Sequence, residues 1–511
     1  MEAYGDNLEP MRHIRLPACL LMLLPFTLMA QSTPYYPTNG WRESTPEAQG
    51  IDSSVLAKMV DGITKSKLNV HSILIIRHGY VVLDSYFYPY TPKATHDVAS
   101  VTKSITAAIT GIAIDKGLFK VDQPVLSFFP DEAPKDPDPR TKKLTVGDLL
   151  SMQAGLDCGF LPGERELEDM RRGNQWAKFT LALPVKYDPG TKFGYCSPGY
   201  HVLSSIISQT AHQSLLEFGK KNLFAPLGIH DVAWPSDDQG RTHGWGNSHF
   251  YPRDFAKIGY LYLHGGKWDG KQIVSEQWVK DSITKRADPG RGPDGGYGYG
   301  WWLDKVGGND EFGGNGRGGQ RVAVWQDKDM IVVVTGAGYP GTAVGPPIAG
   351  SVKSSTPLPE NPDAVKELRE KVAEAAKAPA PTPVSDLPAL AAKVSGAAWE
   401  FPRNASRIDG LQFTFDGKTE AKLKVKYLGT ELSFPVGLDG VYRLGPWGPL
   451  GLLAGATGKW TSETDFLLDL NFVSNINHYS FALHFEGDKV QAVINETSGL
   501  ARNVKVEGKK L

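Results

Sequence analysis

Apolar and polar positions alternate in some stretches of the chain and recur at helical spacing in others. A capped amphipathic helix pattern begins at Ile51, and two strand-like runs, 72–77 and 80–86, follow it around a His-Gly turn. Further helix patterns lie at 99–117, 145–152, 199–210, 254–264 and 275–285, and further strand patterns at 298–304, 321–325 and 330–335. This order of strands, many helices and strands predicts an α+β domain. Its sheet should join the first and last strands, with a helical cluster inserted between them.

The pattern changes twice beyond this domain. Pro, Ala, Ser and Gly dominate residues 341–383, as in a linker, with one helix pattern at 364–376. Past residue 390 the period is two, as in strands, with turn signals such as Asp416-Gly417 and Asp439-Gly440 between the runs. The predicted segments are a signal peptide at 1–30, the α+β domain at 36–345, a linker with one helix at 346–392 and a small all-β domain at 393–511.

The N-terminal segment has the pattern of an export signal. A short basic region at 11–15 precedes a mostly apolar run at 16–29, and Ala30-Gln31 is a plausible cleavage point. Acidic residues before Met11 are atypical of a signal, which makes Met11 a candidate start. We expect the mature protein to begin near Gln31 and to be exported, either periplasmic or secreted. A buried helix is the less favoured alternative.

Composition and charge exclude several partners. The chain has 511 residues, 41% of them hydrophobic, which suits a globular protein with more than one folded unit. Its 55 basic and 56 acidic residues give a net charge of −1, so there is no electrostatic footprint for nucleic acid or an acidic membrane. No zinc-like Cys/His spacing and no His-Glu-x-x-His occurs, so we expect neither a metal nor a cofactor. The oligomeric state is left open.

The chain contains three cysteines. Cys19 would be removed with the signal, which leaves Cys158 and Cys196. In an oxidising compartment these two can pair, whereas in the cytosol they would stay thiols. Because export is expected, a disulfide between them is the favoured prediction.

The strongest chemical motif is Ser100-Val-Thr-Lys103, at the start of an apolar, Ala-rich helix pattern. A serine hydroxyl needs an adjacent base to act as a nucleophile, and a lysine can serve when burial lowers its pKa. Backbone N–H groups at the helix start can also receive an oxyanion. The alternative is an N-cap serine beside a solvated lysine. A second copy, Ser282-Ile-Thr-Lys285, ends a polar helix pattern and is predicted to be an ordinary helix end.

Two further elements support the Ser100 motif. Tyr195 and Ser197 lie on a tight, Gly-flanked loop immediately before a helix pattern. A glycine-rich run, 313–319, leads directly into a strand at Gln320, whose start could accommodate a ligand and complete an oxyanion hole. Taken singly, each has a simpler interpretation, a buried tyrosine for the first and a flexible turn for the second.

In this order the three elements resemble the serine β-lactamase and penicillin-binding-protein superfamily, with Ser-x-x-Lys, Tyr-x-Ser and a relaxed Lys-Thr-Gly. The resemblance covers roughly residues 50–336 and favours the class C-like branch of esterases, D-alanyl-D-alanine peptidases and 6-aminohexanoate-dimer hydrolases. It implies a β-lactamase/transpeptidase-like fold, an antiparallel sheet of N- and C-terminal strands with an inserted helical subdomain. The small C-terminal all-β domain is additional.

The resemblance also implies roles for individual residues. Ser100 would be the acylated nucleophile and Lys103 its activating partner. Tyr195 would pass a proton to the leaving group and later accept one from the deacylating water. Ser197 would be an orienting residue that acts through hydrogen bonds.

For the oxyanion hole, the resemblance implies the backbone N–H groups of Ser100 and Gln320. At the third motif Arg317-Gly318-Gly319 replaces Lys-Thr-Gly as the expected substrate-binding segment. That departure puts β-lactam turnover in doubt but leaves the fold prediction unchanged.

The sequence therefore predicts an exported serine hydrolase that acts through an acyl-enzyme at Ser100 on a small ester or amide. The alternatives on the same fold are a β-lactamase, a D-Ala-D-Ala carboxypeptidase and a non-catalytic acyl-binding sensor. An α/β-hydrolase is disfavoured, because Gly194-Tyr-Cys-Ser197-Pro-Gly199 has one residue too many before the serine for Gly-x-Ser-x-Gly.

Overall fold

The computed structural model describes residues 1–2, 35–159, 164–499 and 501–511. The chain separates into two compact units, Met1–Tyr35 and Tyr36–Leu511, and the second contains every element named below. Apart from its first two residues, the predicted signal peptide lies outside the described residues, as does Cys19. No helix in the described ranges is both long enough and apolar enough to cross a membrane.

The first domain is built on an eight-stranded sheet with the order β1-β3-β2-β12-β11-β10-β9-β8. The strands of this domain are Arg42–Glu43 (β1), Val70–Arg77 (β2), Tyr80–Tyr86 (β3), His96–Asp97 (β4), His249–Phe250 (β5), Lys267–Trp268 (β6), Lys271–Gln272 (β7), Gly296–Tyr297 (β8), Trp302–Val306 (β9), Asn309–Gly316 (β10), Gln320–Trp325 (β11) and Met330–Gly336 (β12). Within the sheet all pairs are antiparallel except β1 with β3, while β4/β5 and β6/β7 form separate two-stranded pairs. The predicted joining of early and late strands is confirmed by the pairing of β2 with β12.

Strands β2 and β12 contain long apolar runs because both of their faces are covered. All residues of β2 and β12 are buried. Leu74 and its partner Val333 face the core beneath the helical subdomain, whereas Ile73 and Val334 face the core beneath the N-terminal helix. Such a continuous apolar run is expected of a strand buried on both sides.

Twelve α-helices complete the described part of the chain. They are Ser53–Lys65 (α1), Thr102–Asp115 (α2), Val146–Leu150 (α3), Arg165–Arg171 (α4), Trp176–Leu181 (α5), Ser197–Ala211 (α6), Leu215–Gly219 (α7), Pro252–Leu263 (α8), Glu276–Ser282 (α9), Gly345–Ser351 (α10), Pro362–Ala375 (α11) and Ala389–Val394 (α12). Helix α2 is buried from Thr102 to Ala113, which explains its run of small and apolar residues.

Two stretches differ from the sequence expectations. The acidic, Gly-rich stretch after Gly155, for which the sequence gives no helix pattern, includes α4 and α5, which bury Leu167, Met170 and Trp176. These helices are too short for a clear period of 3.6. The glycines before Arg317 belong to strand β10, paired antiparallel with β11, rather than to a turn.

The predicted linker at 346–392 was expected to hold one helix, but α10 and most of α12 also fall in it. The expected helix is present as α11, and it packs on the first domain. Leu368 and Ala375 lie in the same core as α1 and the outer face of the sheet. Lys371 pairs with Asp61 of α1 at 2.9 Å, and the backbone N–H of Tyr88 donates to the carbonyl of Ala375 at 2.9 Å. This part of the linker segment is therefore a structural element of the domain.

The C-terminal strands form one sheet of ten members, β13 to β22, closed by a parallel pairing of β16 with β18. They are Ala398–Glu400 (β13), Ile408–Thr414 (β14), Glu420–Tyr427 (β15), Thr430–Gly437 (β16), Arg443–Trp447 (β17), Leu452–Trp460 (β18), Asp465–Asn471 (β19), His478–Glu486 (β20), Lys489–Glu496 (β21) and Val504–Lys510 (β22). The predicted small all-β domain is thus a closed β-barrel, and its alternating pattern buries inner residues such as Phe481 and Leu483.

The barrel contacts the first domain close to the start of α2. The backbone N–H of Asp97 donates to the carbonyl of Ser474 at 2.9 Å. The hydroxyl of Tyr90 donates to Asn471 at 3.2 Å, and Arg407 pairs with Glu168 of α4 at 2.7 Å. These contacts bring the barrel to the segment that carries Ser100.

Candidate active site

Ser100 lies in a short 3-10 turn, Ala99–Val101, that leads directly into α2. Ala99 has a φ of 47°, in the left-handed region that non-glycine residues rarely adopt. A carboxylate oxygen of Asp97 accepts a 2.8 Å hydrogen bond from the Ala99 N–H and holds the backbone there. Such strained turns are common where a side chain must be presented to a ligand.

Lys103 contacts the nucleophile directly. Its Nζ lies 2.9 Å from Oγ of Ser100 and donates a second 2.9 Å hydrogen bond to the carbonyl oxygen of Trp245. The side chain is only 1% exposed. Desolvation lowers the Lys103 pKa to about 8, against an opposing effect of Glu164. A neutral amine, which can accept the serine proton, is therefore accessible near neutral pH.

The carbonyl of Trp245 is held in place by the aromatic rings around it. The indole stacks on His243 with ring centroids 4.6 Å apart, and it meets Trp176 at 5.3 Å. Sequence reasoning did not identify Trp245, because the contact uses a backbone group that no residue type marks. The Gly-flanked aromatic in Gly244-Trp245-Gly246 was the available signal.

Tyr195 is the third residue at the nucleophile. Its ring lies 4.8 Å from Nζ of Lys103, and the Ser100 side chain acts on its pKa, lowering it against the effect of burial. Desolvation raises the Tyr195 pKa well above 10, with a further contribution from Tyr297. Because this phenol keeps its proton at neutral pH, it suits a proton relay, while Lys103 suits the base.

The structure confirms the expected disulfide between Cys158 and Cys196, with the sulfurs 2.04 Å apart. Cys196 lies between Tyr195 and Ser197, so the bridge joins the segment after Gly155 to the second motif. Ser197, expected on a loop, is the first residue of α6. Cys196 is therefore fixed by a covalent bond, and Ser197 is fixed by its position at the start of a helix.

The hydroxyl of Ser197 does not contact Ser100 directly but donates a 2.6 Å hydrogen bond to Glu164. The charge of Glu164 acts on both Lys103 and Tyr195, raising the pKa of each. Glu164 was not singled out from the sequence, although its position six residues after Cys158 was a signal that it could reach the second motif.

Glycines in β10 allow the sheet to approach the nucleophile turn closely. A Cβ at Gly314 would lie 2.3 Å from a methyl of Val101, and one at Gly316 would lie 2.8 Å from the carbonyl of Val98. Either contact is too short to be accommodated. We expected the glycine run to leave room for a ligand, but at these two positions it makes room for the turn that carries Ser100.

The third motif adopts a tight turn between β10 and β11. Its φ values of 78° at Gly318 and 90° at Gly319 suit glycine. The buried side chain of Gln320 donates to the carbonyls of Gly336 and, at 3.1 Å, Arg317, which braces the turn. The role of the Gln320 backbone N–H in an oxyanion hole stays a prediction.

Arg317 contacts the barrel, a contact between distant parts of the chain that its motif did not predict. Its guanidinium donates to the hydroxyl of Ser498 and lies 3.5 Å from the amide oxygen of Asn477. Arg317 also lines the cavity at Ser100. It is therefore near the site, as expected, but part of its hydrogen-bonding capacity is used between the domains.

A cavity of about 690 Å³ opens at Ser100 and has walls from both domains. The first domain contributes Glu164, Trp245 and His249, and the barrel contributes residues that include Tyr427 and Trp447. The ring nitrogens of His249 have no hydrogen-bond partner among the described residues. This histidine, also missed from sequence, could offer a polar contact to a bound molecule.

The second Ser-x-x-Lys motif has a different environment. Ser282 is the last residue of α9, and its hydroxyl donates to the carbonyl of Trp278 at 2.7 Å. Lys285 is partly exposed and lies 3.9 Å from Asp288. This copy is a helix end, as predicted. Elsewhere, the described residues contain no group of three or more His, Cys, Asp or Glu placed to hold a metal.

The first domain is similar to known proteins. The family model described as Beta-lactamase matches residues 57–348, more than half of the chain. A 6-aminohexanoate-dimer hydrolase from Paenarthrobacter ureafaciens is 25% identical over 285 residues, which cover 51% of this chain and 71% of that protein. A lovastatin esterase from Penicillium rubens is 27% identical over 162 residues, 27% of this chain and 40% of that protein.

Among solved structures, EstCE1, a hydrolase with promiscuous acyltransferase activity, superposes with a TM-score of 0.50 at 17% sequence identity. The match covers 59% of this chain and 99% of that structure. At this identity the likeness concerns the fold alone, and it corresponds in extent to the first domain.

Proposed function

The chain belongs to the Beta-lactamase family, and on that basis we propose that it is an exported serine hydrolase that forms an acyl-enzyme at Ser100. The substrate is a small ester or amide. The observation that carries this proposal is the buried amine of Lys103 at 2.9 Å from the Ser100 hydroxyl, with a pKa lowered by desolvation to about 8.

In the acylation step the Ser100 Oγ attacks the substrate carbonyl while its proton passes to the neutral amine of Lys103. The tetrahedral oxyanion is stabilised by backbone N–H groups, for which Ser100 and Gln320 are the candidates. As the C–O or C–N bond breaks, Tyr195 gives its proton to the leaving group and recovers one from Lys103. The acyl group stays on Ser100.

Deacylation reverses this proton path. A water attacks the acyl carbonyl, its proton passes through Tyr195 to Lys103, and Ser100 leaves and recovers its proton. The high pKa of Tyr195 and the lowered pKa of Lys103 suit these two roles. The mechanism needs no group beyond these side chains and the backbone.

The departure at the third motif favours esters and small amides over penicillins. Gly318 has no hydroxyl for a substrate carboxylate, and the planar guanidinium of Arg317 is not equivalent to an ammonium. The relatives include a 6-aminohexanoate-dimer hydrolase and esterases, together with a penicillin-binding protein and a putative D-alanyl-D-alanine carboxypeptidase, so the preference rests on the third motif. Export is supported by the signal-like N-terminus and by the Cys158–Cys196 disulfide.

Intact-mass spectrometry with a fluorophosphonate and with a penicillin tests the proposal. We expect a fluorophosphonate adduct on the wild type and on Ser282→Ala, which alters only the second Ser-x-x-Lys, but none on Ser100→Ala. A stable penicillin adduct without ester turnover would instead identify an acyl-binding sensor. The same fluorophosphonate adduct on Ser100→Ala would overturn the assignment of the nucleophile.

For export, the measurement is N-terminal sequencing of protein recovered from outside the cytosol of the native host. A terminus near Gln31 is expected. Protein found in the cytosol with an intact terminus at Met1 or Met11 would contradict it.

A further inference from the structure

The barrel occupies the space that a larger residue at the third motif would need. Ile476, on the loop between β19 and β20, is buried against Ala99 next to the nucleophile. A Cβ at Gly318 would lie 2.5 Å from a methyl of Ile476 and 2.8 Å from the carbonyl of Gly336. A hydroxyl-bearing side chain therefore does not fit at Gly318, because Ile476 of the barrel and the Gly336 carbonyl of the first domain both occupy its space.

The barrel also provides partners for the charge of the third motif. The two residues that contact the Arg317 guanidinium, Asn477 and Ser498, both donate to the buried carboxylate of Glu496, at 3.0 and 2.8 Å. An anionic substrate group that approached Arg317 would have to compete with this cluster. The site is therefore poorly suited to a substrate carboxylate at this position.

The other arginines along the described wall of the cavity share one carboxylate partner. Arg407 of the barrel and Arg171 of α4 both contact Glu168, at 2.7 and 3.5 Å. The cations at this end of the cavity thus already have carboxylate or hydroxyl partners within the protein.

In contrast, the barrel presents apolar side chains to the same cavity. Leu428 and Leu450 are 50% and 45% exposed, and with the partly buried Trp447 they line the cavity that contains Ser100. We refer to Leu428, Trp447 and Leu450 as the apolar rim. Exposed leucines that line the same cavity as the proposed nucleophile lose water contact when an apolar group binds between them, which favours such a ligand.

We propose that the barrel is the substrate-selecting wall of this active site, and that it selects neutral esters or amides with an extended alkyl group lying against the apolar rim. This rests on the proposed function, because it names the substrate class of the same nucleophile. Ile476 and the Arg317 cluster disfavour a carboxylate near the third motif, and the rim stabilises the alkyl group.

Steady-state kinetics on a series of p-nitrophenyl esters test the inference. We expect kcat/KM of the wild type to be at least about tenfold higher for the octanoate than for the acetate, because each methylene removed from water adds a few-fold. The mono-succinate, a carboxylate analogue of the butyrate, should be at least about tenfold poorer than the butyrate.

Leu428→Ser/Leu450→Ser should lose most of the octanoate preference, so that the ratio of kcat/KM for octanoate to kcat/KM for acetate falls towards one. The matched control is Leu444→Ser/Leu467→Ser, because those leucines are each 40% exposed on the same barrel but do not line the cavity. The control should behave as the wild type, with the same chain-length preference.

The outcomes separate the two proposals. The apolar-rim inference is overturned if the wild type shows no octanoate preference, or if that preference survives in the rim variant. The serine hydrolase assignment still stands in both cases, provided that acetate is hydrolysed through Ser100. Equal turnover of succinate and butyrate overturns the selection for neutral substrates. If no ester is hydrolysed and the fluorophosphonate does not label Ser100, the proposed function fails and the inference fails with it.

Discussion

The hydroxyl of Ser197 donates a 2.6 Å hydrogen bond to Glu164, and the Cys158–Cys196 disulfide links the segments on which these two residues lie. This contact places a carboxylate near the base of the site. The charge of Glu164 opposes the desolvation that lowers the pKa of Lys103. Glu164 is therefore a positioning residue that adjusts the proton affinity of Lys103 without contacting the nucleophile.

Glu164→Gln should move the acidic limb of the kcat/KM–pH profile to lower pH. Without the carboxylate, the Lys103 ammonium loses a favourable interaction, so its pKa falls further below 8. Ser197→Ala is the matched control, since it removes the 2.6 Å hydrogen bond but keeps the charge. The measurement is a pH profile with p-nitrophenyl butyrate for both variants. A limb that stays in place in Glu164→Gln would contradict this role.

In the wild type, kcat/KM should rise with pH through about 8, the pKa of Lys103. The sign follows from the mechanism, because only the neutral amine accepts the proton from Ser100. Since Lys103 and Tyr195 share protons, the fitted value belongs to the pair. Lys103→Ala should reduce acylation by about 100-fold or more with little change in binding. Unaltered turnover in that variant would rule out Lys103 as the base.

The lowered pKa also predicts a cost in stability. Lys103 loses its proton near pH 8 in the folded state and, in the unfolded chain, near its ordinary value of 10.5. Between those values the unfolded state binds more protons, so the free energy of unfolding rises with pH there, while below pH 8 the full penalty persists.

Lys103→Met should therefore stabilise the fold at pH 7, by about 1–3 kcal/mol after allowance for the lost hydrogen bonds. The gain should shrink as the pH rises from 8 towards 10.5. Denaturant unfolding at pH 7 and pH 10 measures it, with Lys285→Met, a change at a partly exposed lysine, as the control. A destabilised variant at pH 7 would show that the buried ammonium is not a net cost.

The sequence was sufficient for the nucleophile and its base because both lie within four residues of one another on one turn. At this spacing the two side chains can meet on one turn, as Lys103 and Ser100 do at 2.9 Å. The same spacing at Ser282 and Lys285 gives a helix end instead, so the apolar sequence around Ser100 was the signal that separated the two copies. Central strands were also predictable, since β2 and β12 contain the continuous apolar runs 73–76 and 330–334, which have no competing helical period.

The remaining parts of the site depend on contacts between distant segments. The carbonyl of Trp245 carries no residue-type signal, and Glu164 lies in an acidic stretch where many carboxylates look alike. The period-two pattern of the barrel predicts strands, but it cannot show that Ile476 packs beside Ala99. From the sequence, Gly318 is only a departure from Lys-Thr-Gly. In the structure, the packing of the barrel against the first domain also leaves no room for a larger residue at this position.

In native protein isolated after export, alkylation without reductant should modify neither Cys158 nor Cys196, and alkylation after reduction should modify both. The bridge spans 38 positions, so its loss should destabilise the fold by about 4 kcal/mol in the chain-entropy model. Mass spectrometry counts the thiols, and thermal unfolding of Cys158→Ser/Cys196→Ser measures the destabilisation. Two thiols that react in native, non-reduced protein would refute the bridge.

The last prediction concerns β-lactams. A penicillin or cephalosporin presents a carboxylate to the third motif, where Gly318 offers no hydroxyl and Ile476 prevents a larger residue from supplying one. Arg317 keeps a positive charge, but its guanidinium already donates to Ser498 of the barrel. A carboxylate that lacks one hydrogen-bonding partner loses roughly 1.5–3 kcal/mol, about ten- to a hundredfold in kcat/KM.

A short activated ester needs only the nucleophile, the proton relay and the oxyanion donors. We therefore expect kcat/KM for p-nitrophenyl butyrate and for a 6-aminohexanoate dimer to exceed that for nitrocefin, all measured on one preparation with Ser100→Ala as the blank. If nitrocefin is turned over as well as the ester, Arg317-Gly318-Gly319 can replace Lys-Thr-Gly. The ranking of esterase over β-lactamase would then be reversed, because the site would bind the carboxylate of the β-lactam even with the barrel in contact with the third motif.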